Sequence, residues 1–204
     1  MKLLVIGPQG SGKGTQAKKI AEKFNLRHIS TGDIFRENIK NETELGKLAK
    51  SFIDKGELVP DDVTNKIVAD AIKELDDFLL DGFPRNLSQA EFLDSVTKLD
   101  KVVVIGLNDE EVLARLSGRR TCPECGEIYH INFKPPKVTG KCDFDDGELF
   151  QRDDDKADAI NERLDIYNEQ THPLIEHYSD IVVKIDGSPS IDEVWAQIEE
   201  KLSS

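Results

Sequence analysis

An α/β fold built on a five-stranded parallel sheet flanked by helices follows from three features of this chain. Short apolar runs alternate with helical patterns, which means βαβ units. A glycine-rich turn, Gly7-Pro8-Gln9-Gly10-Ser11-Gly12-Lys13-Gly14-Thr15, follows the first apolar run and opens a helix. The 204 residues are 38% hydrophobic and 33% charged, enough apolar side chain for one core. At roughly 150 residues per domain that length reads as one domain carrying insertions.

Residues 2–6 read as a buried strand, followed by the glycine turn and a helix over about 13–24. Residues 27–29 make a second short strand, with helices at about 34–39 and 44–54 behind it. Gly56 ends the latter. Pro60 precedes a helix over about 61–75 whose Val63, Ile67, Val68, Ala71 and Ile72 recur at helical spacing. A third strand covers 78–80 and ends in Asp81-Gly82, and Ser88 with Glu91 reads as the capping box of the next helix. Residues 101–107 are the fourth strand, 109–116 a helix and 181–186 the fifth strand. Ser190 with Glu193 caps a last helix with Val194, Ile198 and Leu202 on one face. The alternation fails twice: between Ser30 and Val59 two helices follow without a strand, and between Gly118 and Asp155 Cys, Pro, Gly and polar residues take over. Both stretches read as insertions, which usually carry function. The expected division is a core of 1–29, 60–117 and 156–204, with insertions at 30–59 and 118–155.

With 27 basic and 40 acidic residues the net charge is −13, which argues against a nucleic-acid or anionic-membrane surface. The longest apolar run, 102–107, is far short of the roughly 20 residues that span a bilayer. The first residues lack the long apolar region of a secretion signal. Three cysteines, an odd number, favour a reducing compartment and metal over disulfides. The expectation is a cytoplasmic monomer. Only eight basic residues are arginine: Arg27, Arg36, Arg85, Arg115, Arg119, Arg120, Arg152 and Arg163. A strongly acidic protein that holds a polyanion must gather such planar, phosphate-matching cations in one cleft.

The glycine turn has the context a phosphate-binding loop requires. Its backbone N–H groups can close around phosphate oxygens, the helix N-terminus adds positive potential, and Lys13 reaches the outer phosphates. Gly14 stands where the general motif has Ser or Thr, with Thr15 after it, so no hydroxyl is placed for direct bonding to Mg²⁺. Asp81, ending the third strand, is positioned to hold the ion through water, the alternative being a turn aspartate before Gly82.

From Met1 to about Leu202 the chain resembles adenylate kinases of the long-lid variety, whose core is P-loop NTPase-like. Ser30-Thr31-Gly32-Asp33 with Arg36, then Gly56-Glu57-Leu58-Val59, resemble the family's monophosphate site, and Asp81-Gly82-Phe83-Pro84-Arg85 with Gln89 its second half. Arg115-Leu116-Ser117-Gly118-Arg119-Arg120 resembles the hinge into the lid, and Arg152-Asp153-Asp154-Asp155 with Arg163 the return. The resemblance implies Mg²⁺-dependent transfer, ATP + AMP ⇌ 2 ADP. It places Gly10, Ser11, Gly12, Lys13, Gly14, Thr15, Arg115, Arg119, Ile128, Tyr129 and Pro189 on ATP. Thr31, Arg36, Glu57, Leu58, Val59, Gly82, Phe83, Pro84, Arg85, Gln89, Arg152 and Arg163 fall on AMP. Lys13, Arg85, Arg119, Arg152 and Arg163 are the expected catalytic residues, Arg115 is expected to lie flat on adenine, and Gln89 to pair with the acceptor's adenine edge. No base is required, because the acceptor phosphate is already anionic, so His28, His130, His172 and His177 get no role in the chemistry. Asp153 to Asp155 reads most simply as a solvated run at a helix start, with a part for Asp154 and Asp155 in fixing the closed lid as the alternative. Where Gln9 stands the family commonly has Pro, a departure expected on the solvent side of the turn.

Cys122-Pro123-Glu124-Cys125 and Cys142-Asp143-Phe144-Asp145 are two knuckles sixteen residues apart, the spacing of a zinc ribbon with Asp145 fourth. Asp143, Asp146 or His130 are the alternatives for that place. A redox pair would not need Cys142, and an iron–sulfur cluster prefers a fourth Cys. Some long-lid adenylate kinases carry zinc ligands at these positions, so one structural Zn²⁺ per chain is expected. The rival readings are a UMP/CMP kinase on the same fold, against Thr31 and Gln89, and a non-catalytic nucleotide switch or zinc-ribbon nucleic-acid module, against the lid's acidic charge.

Overall fold

The structure, a computed structural model, describes residues 1–203, without the side chains of 157 and 158. In chain order the elements are β1 (Lys2–Ile6), α1 (Lys13–Phe24), β2 (Arg27–Ser30), α2 (Thr31–Lys40), α3 (Glu44–Ile53), α4 (Asp61–Ile72), β3 (Phe78–Asp81), α5 (Leu87–Val96), β4 (Lys101–Gly106), α6 (Asp109–Ser117), β5 (Arg119–Thr121), β6 (Ile128–His130), α7 (Ala157–Ile166), α8 (Leu174–His177), β7 (Val182–Asp186) and α9 (Ile191–Ser203). None of the described helices is long and apolar enough to cross a membrane.

Five strands form one parallel sheet in the order β2-β3-β1-β4-β7. Successive side chains of a strand face opposite ways, so a continuous apolar run must bury both faces. Leu4 and Ile6 of β1, Phe78 and Leu80 of β3, and Val102 and Val104 of β4 meet α4, α5 and α8 on one side. Leu3, Val5, Leu79, Val103 and Ile105 meet α1 and α9 on the other. The chain leaves β1 toward β2 at one edge and leaves the adjacent β4 toward β7 at the other, so connections diverge at the carboxyl ends of β1 and β4, the place where such sheets bind ligands. The glycine turn sits there.

The first insertion, α2 and α3, packs Phe35, Ala49 and Val59 into a small core that continues onto Val63 and Ile67 of α4. The two helices touch where a Cβ on Gly46 would fall 2.1 Å from the Asn38 carbonyl, so only glycine allows the approach. The second insertion is the β5–β6 hairpin and the loops after it. Its core is Cys122, Tyr129 and Cys142 with Leu149, while Ile131, Phe133, Val138 and Phe144 stay exposed. Its stems are joined by Val112 and Leu116 of α6 against Ile160 and Leu164 of α7. The insertions meet over the sheet's carboxyl edge, where Lys40 Nζ donates to the Pro123 carbonyl at 3.1 Å and to Glu124 Oε2 at 2.9 Å.

Three expectations need correction. The helix at 87 is capped by Asn86, whose side chain accepts from Gln89 N at 2.8 Å; Ser88 stands exposed in the first turn and its box with Glu91 does not start the helix. Asn caps as well as Ser, and it comes first. The Ser190–Glu193 box does form, with both bonds present. Helix α2 begins at Thr31, three residues before the apolar pattern starts, because Ser30 accepts from Asp33 N. And Asp154 and Asp155 are buried, not solvated, for reasons that lie in the cleft.

Candidate active site

A cleft of about 670 Å³ opens above the glycine turn and is roofed by β6 and the loop after it. Gly10 and Gly12 hold φ of 78° and 85°, conformations that other residues rarely adopt and that let the turn curl before α1. Lys13 Nζ donates to the Pro8 carbonyl at 3.1 Å, folding the ammonium back over the loop. Burial lowers its pKa from 10.5 to about 7; Arg85, Arg163 and Arg119 push the same way and Asp81 opposes them. An anion in the loop would restore the charge. Inorganic tripolyphosphate binding at pH 8.5 is therefore expected to take up close to one proton, read by calorimetry in buffers of different ionisation enthalpy. The uptake should vanish at pH 6, where Lys13 is already charged, and in Lys13→Met. Equal heats in the different buffers at pH 8.5 would refute it.

Six of the eight arginines line this cleft: Arg36, Arg85, Arg115, Arg119, Arg152 and Arg163. Each is held. Arg119 ion-pairs with Asp155 through two bonds, one of them Nε to Oδ2 at 2.7 Å. Arg163 Nη1 donates to the Asp154 carbonyl at 2.7 Å and to its Oδ2 at 3.0 Å. Asp154 and Asp155 thus offset a cluster of cations, and the arginines around Asp154 hold its carboxyl below the usual range against the pull of burial. Arg152 Nε donates to Thr121 Oγ1 at 2.9 Å; burial first, then Arg36 and Arg119, bring its pKa down to about 9. Burial likewise lowers Arg163 to about 10. Arg85 Nε donates to the Gly82 carbonyl at 2.8 Å, and Arg36 pairs with Asp33.

A second, narrower pocket runs from Thr31 and Arg36 past Glu57, Leu58 and Val59 to Gly82 and Gln89. Both pockets share Arg36, Arg85 and Arg163, so they meet at cations. Thr31 Oγ1 donates to the Gly82 carbonyl at 2.9 Å. Phe83 and Pro84 are buried beneath the turn. Gln89 is buried, its Oε1 accepting from Arg85 N at 2.8 Å and its Nε2 donating to Asp61 Oδ1 at 2.7 Å. These bonds fix which end of the amide is which and leave one N–H and one lone pair unused. At the other end Arg115 Nη2 donates to the carbonyls of Gly187 and Ser188, both at 2.9 Å, and its guanidinium lies 5.7 Å from the Phe133 ring. Ile128, Tyr129 and Pro189 line the same end. Asp81 lines the larger cleft. Of the residues expected on the nucleotides, Ser11, Phe83 and Pro84 are buried and line neither pocket, and the others line one or both; Arg27 and Arg120, given no role, line neither.

The family model described as adenylate kinase matches residues 5–183. An adenylate kinase of Clostridium botulinum (strain 657 / Type Ba4) is 52% identical over 97% of this chain and 96% of its own. That of Methanothrix thermoacetophila is 50% identical over 100% and 99%, and that of Caldanaerobacter subterraneus subsp. tengcongensis 50% over 99% and 96%. The chain belongs to the adenylate kinase family.

Gln9 does not lie on the solvent side of the turn, where the sequence led one to expect it. It is half-buried, and its Nε2 donates to the Arg163 carbonyl at 3.1 Å, tying the phosphate loop to α7 instead of facing solvent. Phe133, Lys134 and His130 line the cleft roof without having been expected there. His130 Nδ1 accepts from Asn132 N and Phe133 N at 3.0 and 3.1 Å, and among the described residues His130 is not part of the cysteine–aspartate cluster. His177 pairs with Asp94 outside the cleft.

The kinase's three cysteines and Asp145 come together: one ligand atom from each lies within 4.8 Å of all the others. Cys122 Sγ lies 3.2 Å from Asp145 Oδ1 and Cys125 Sγ 3.5 Å from Cys142 Sγ, with no disulfide. Asp143, one rival for the fourth place, instead accepts from Lys137 N at 2.8 Å. Burial and the neighbouring acidic groups push the Cys125 thiol up to about 12. Four groups that ionise to anions at such separations fit a tetrahedral cation, and the donor set, three thiolates and a carboxylate, fits zinc.

Proposed function

We propose that this kinase moves the terminal phosphoryl group of ATP to AMP, with Mg²⁺ on the donor, and runs equally in reverse from two ADP. The observation that carries this reading is the junction of the two pockets at Arg36, Arg85 and Arg163. Phosphoryl transfer is mainly positioning and charge neutralisation. Lys13, Arg119, Arg152 and Arg163 would surround the moving group, with Arg36 and Arg85 on the acceptor's α-phosphate. Arg115 and Phe133 would take the donor base between them. Gln89's remaining N–H and lone pair match the two polar atoms of an adenine edge, whose amine donates and whose ring nitrogen accepts. Asp81, a hard oxygen donor with no hydroxyl at Gly14 to share the task, would hold the ion through water; the ion supplies charge neutralisation on the outer phosphates. No histidine acts as base.

The insertions would close over both nucleotides and exclude water, so that phosphate passes to AMP and not to solvent. Pivots near Gly118 and near Asp153–Asp155 fit this, and so do insertions bounded at 30–59 and 118–155. Zinc would staple the lid without touching substrate. A coupled assay of ADP formation tests the acceptor: AMP is expected to give the highest kcat/KM among AMP, CMP, UMP and GMP. A higher value with CMP or UMP would end the adenine reading while leaving the phosphotransferase intact.

A further inference from the structure

Beneath Asp81 lies a side chain that the chemistry above does not use. His28, on β2, is one strand away from Asp81 on β3, where Ser30 pairs with Asp81. Its Nε2 is buried and has no hydrogen-bond partner. A buried polar atom without a partner costs free energy unless something occupies it in another state of the molecule. The nearest acidic group is Asp81, whose Oδ2 stands 3.7 Å away, just beyond hydrogen-bond reach.

The other side of that same oxygen faces the phosphate loop: a Cβ on Gly14 would lie 3.6 Å from Asp81 Oδ2. The carboxylate is therefore bracketed by Gly14, which offers no hydroxyl, and by the His28 imidazole behind it. Asp81 lines the cleft and His28 does not. Carboxylates that hold metal ions or their waters are oriented by hydrogen bonds from behind, and losing such a partner typically costs about 10–100-fold in metal affinity or activity.

We propose that His28 is a positioning residue: its Nε2–H holds the Asp81 carboxylate turned to the mouth of the phosphate loop, and so sets how tightly the protein holds the divalent cation that accompanies ATP. The inference rests on Asp81 as the cation's protein anchor. His28 touches no substrate and acts only through Asp81.

The test follows Mn²⁺ binding to the whole protein with ATP present, read from the free-Mn²⁺ electron paramagnetic resonance signal, beside the Mg²⁺ dependence of kcat and KM. His28→Leu is expected to weaken Mn²⁺ binding about 10-fold, to raise the Mg²⁺ requirement in parallel, and to leave metal-free ATP binding within about two-fold of the parent. His28→Gln, whose amide N–H reaches a similar place, should restore most of the affinity. In an Asp81→Asn background the leucine substitution should add nothing. If the leucine variant does not fold, His28→Asn, with its donor drawn back, takes its place and is expected to lose affinity as leucine does. Leucine or asparagine variants that hold Mn²⁺ as the parent does would overturn the proposal, and so would an undiminished leucine effect in the Asp81→Asn background. Unchanged Mn²⁺ affinity in Asp81→Asn alone would instead remove the reading of Asp81 on which the proposal stands.

Discussion

Replacing Lys13 by methionine is expected to lower kcat about 10²–10³-fold while leaving the empty protein more stable than its parent. The two effects have one cause. Lys13 is set in a cleft whose burial, together with Arg85, Arg163 and Arg119, disfavours its ammonium, and only Asp81 favours it. That arrangement suits a transferring phosphoryl group, which brings the missing negative charge, and it does not suit an empty site. With a pKa of about 7 in the fold against 10.5 outside it, the charged lysine weakens the empty fold. The cost is complete below pH 7, fades as pH rises, and is gone above the unfolded value. Methionine keeps the apolar stem and removes the ammonium, so the gain in melting temperature should be largest at pH 7 and below. Each kcal/mol recovered raises the midpoint by roughly 2–4 °C at this size. KM for ATP should change much less than kcat, because the charge acts most on the moving group. Thermal melts from pH 6 to 10 with initial rates on the same samples check this. A variant that melts earlier and loses activity only in proportion would make Lys13 a structural residue, and an unchanged kcat would remove it from the chemistry.

That trade between stability and function also separates what could be read in the sequence from what could not. The sheet was legible because its strands are apolar on both faces, as with Leu3 and Leu4 on opposite sides of β1. The phosphate loop was legible because glycine, lysine and helix start follow a local rule. Scarcity in an acidic chain singled out the arginines, but it was the resemblance to a family that assigned six of the eight to the cleft. Three-dimensional partners were not legible. Asp154 and Asp155 look like any acidic start of a helix until α7 carries Arg163 back beneath them and β5 brings Arg119 across. Gln9 looks like a turn residue until Arg163's carbonyl arrives from 154 residues away. Phe133 reads as one more apolar lid residue, and only the fold sets its ring near Arg115. The amide of Gln89 was expected to read a base, but its fixation by Asp61 lay beyond any local pattern. Signals within a few residues survive in sequence; those made by long-range closure do not.

The cysteine cluster gives the second large effect, in stability and not in rate. Cys142→Ser, or removal of the metal by a chelator, is expected to lower the melting midpoint and loosen residues 118–155, with activity at low temperature largely retained. The apolar core of that segment is only Cys122, Tyr129, Cys142 and Leu149, so two of its four members are themselves proposed ligands. Phe133 and Phe144 are 63% and 77% exposed and contribute little packing. So thin a core needs a staple. Structural zinc contributes on the order of 10–16 kcal/mol in small zinc-finger peptides. Here β5 and the α6–α7 stem already hold the segment's ends, so a smaller share falls on the whole protein. A loss of about 3 kcal/mol would lower the midpoint by roughly 6–12 °C at this length. Activity should persist in the cold because three thiolates and one carboxylate fill a tetrahedral site and leave no position for substrate. The six cleft arginines all lie outside the two knuckles in sequence. Elemental analysis of the purified protein is expected to find one zinc per chain, and hydrogen exchange should report faster opening in the β5–β6 hairpin of the variant than in the sheet. A metal-free protein with that hairpin fully protected would refute the staple, and a kcat strictly proportional to zinc in fully folded protein would make the metal catalytic.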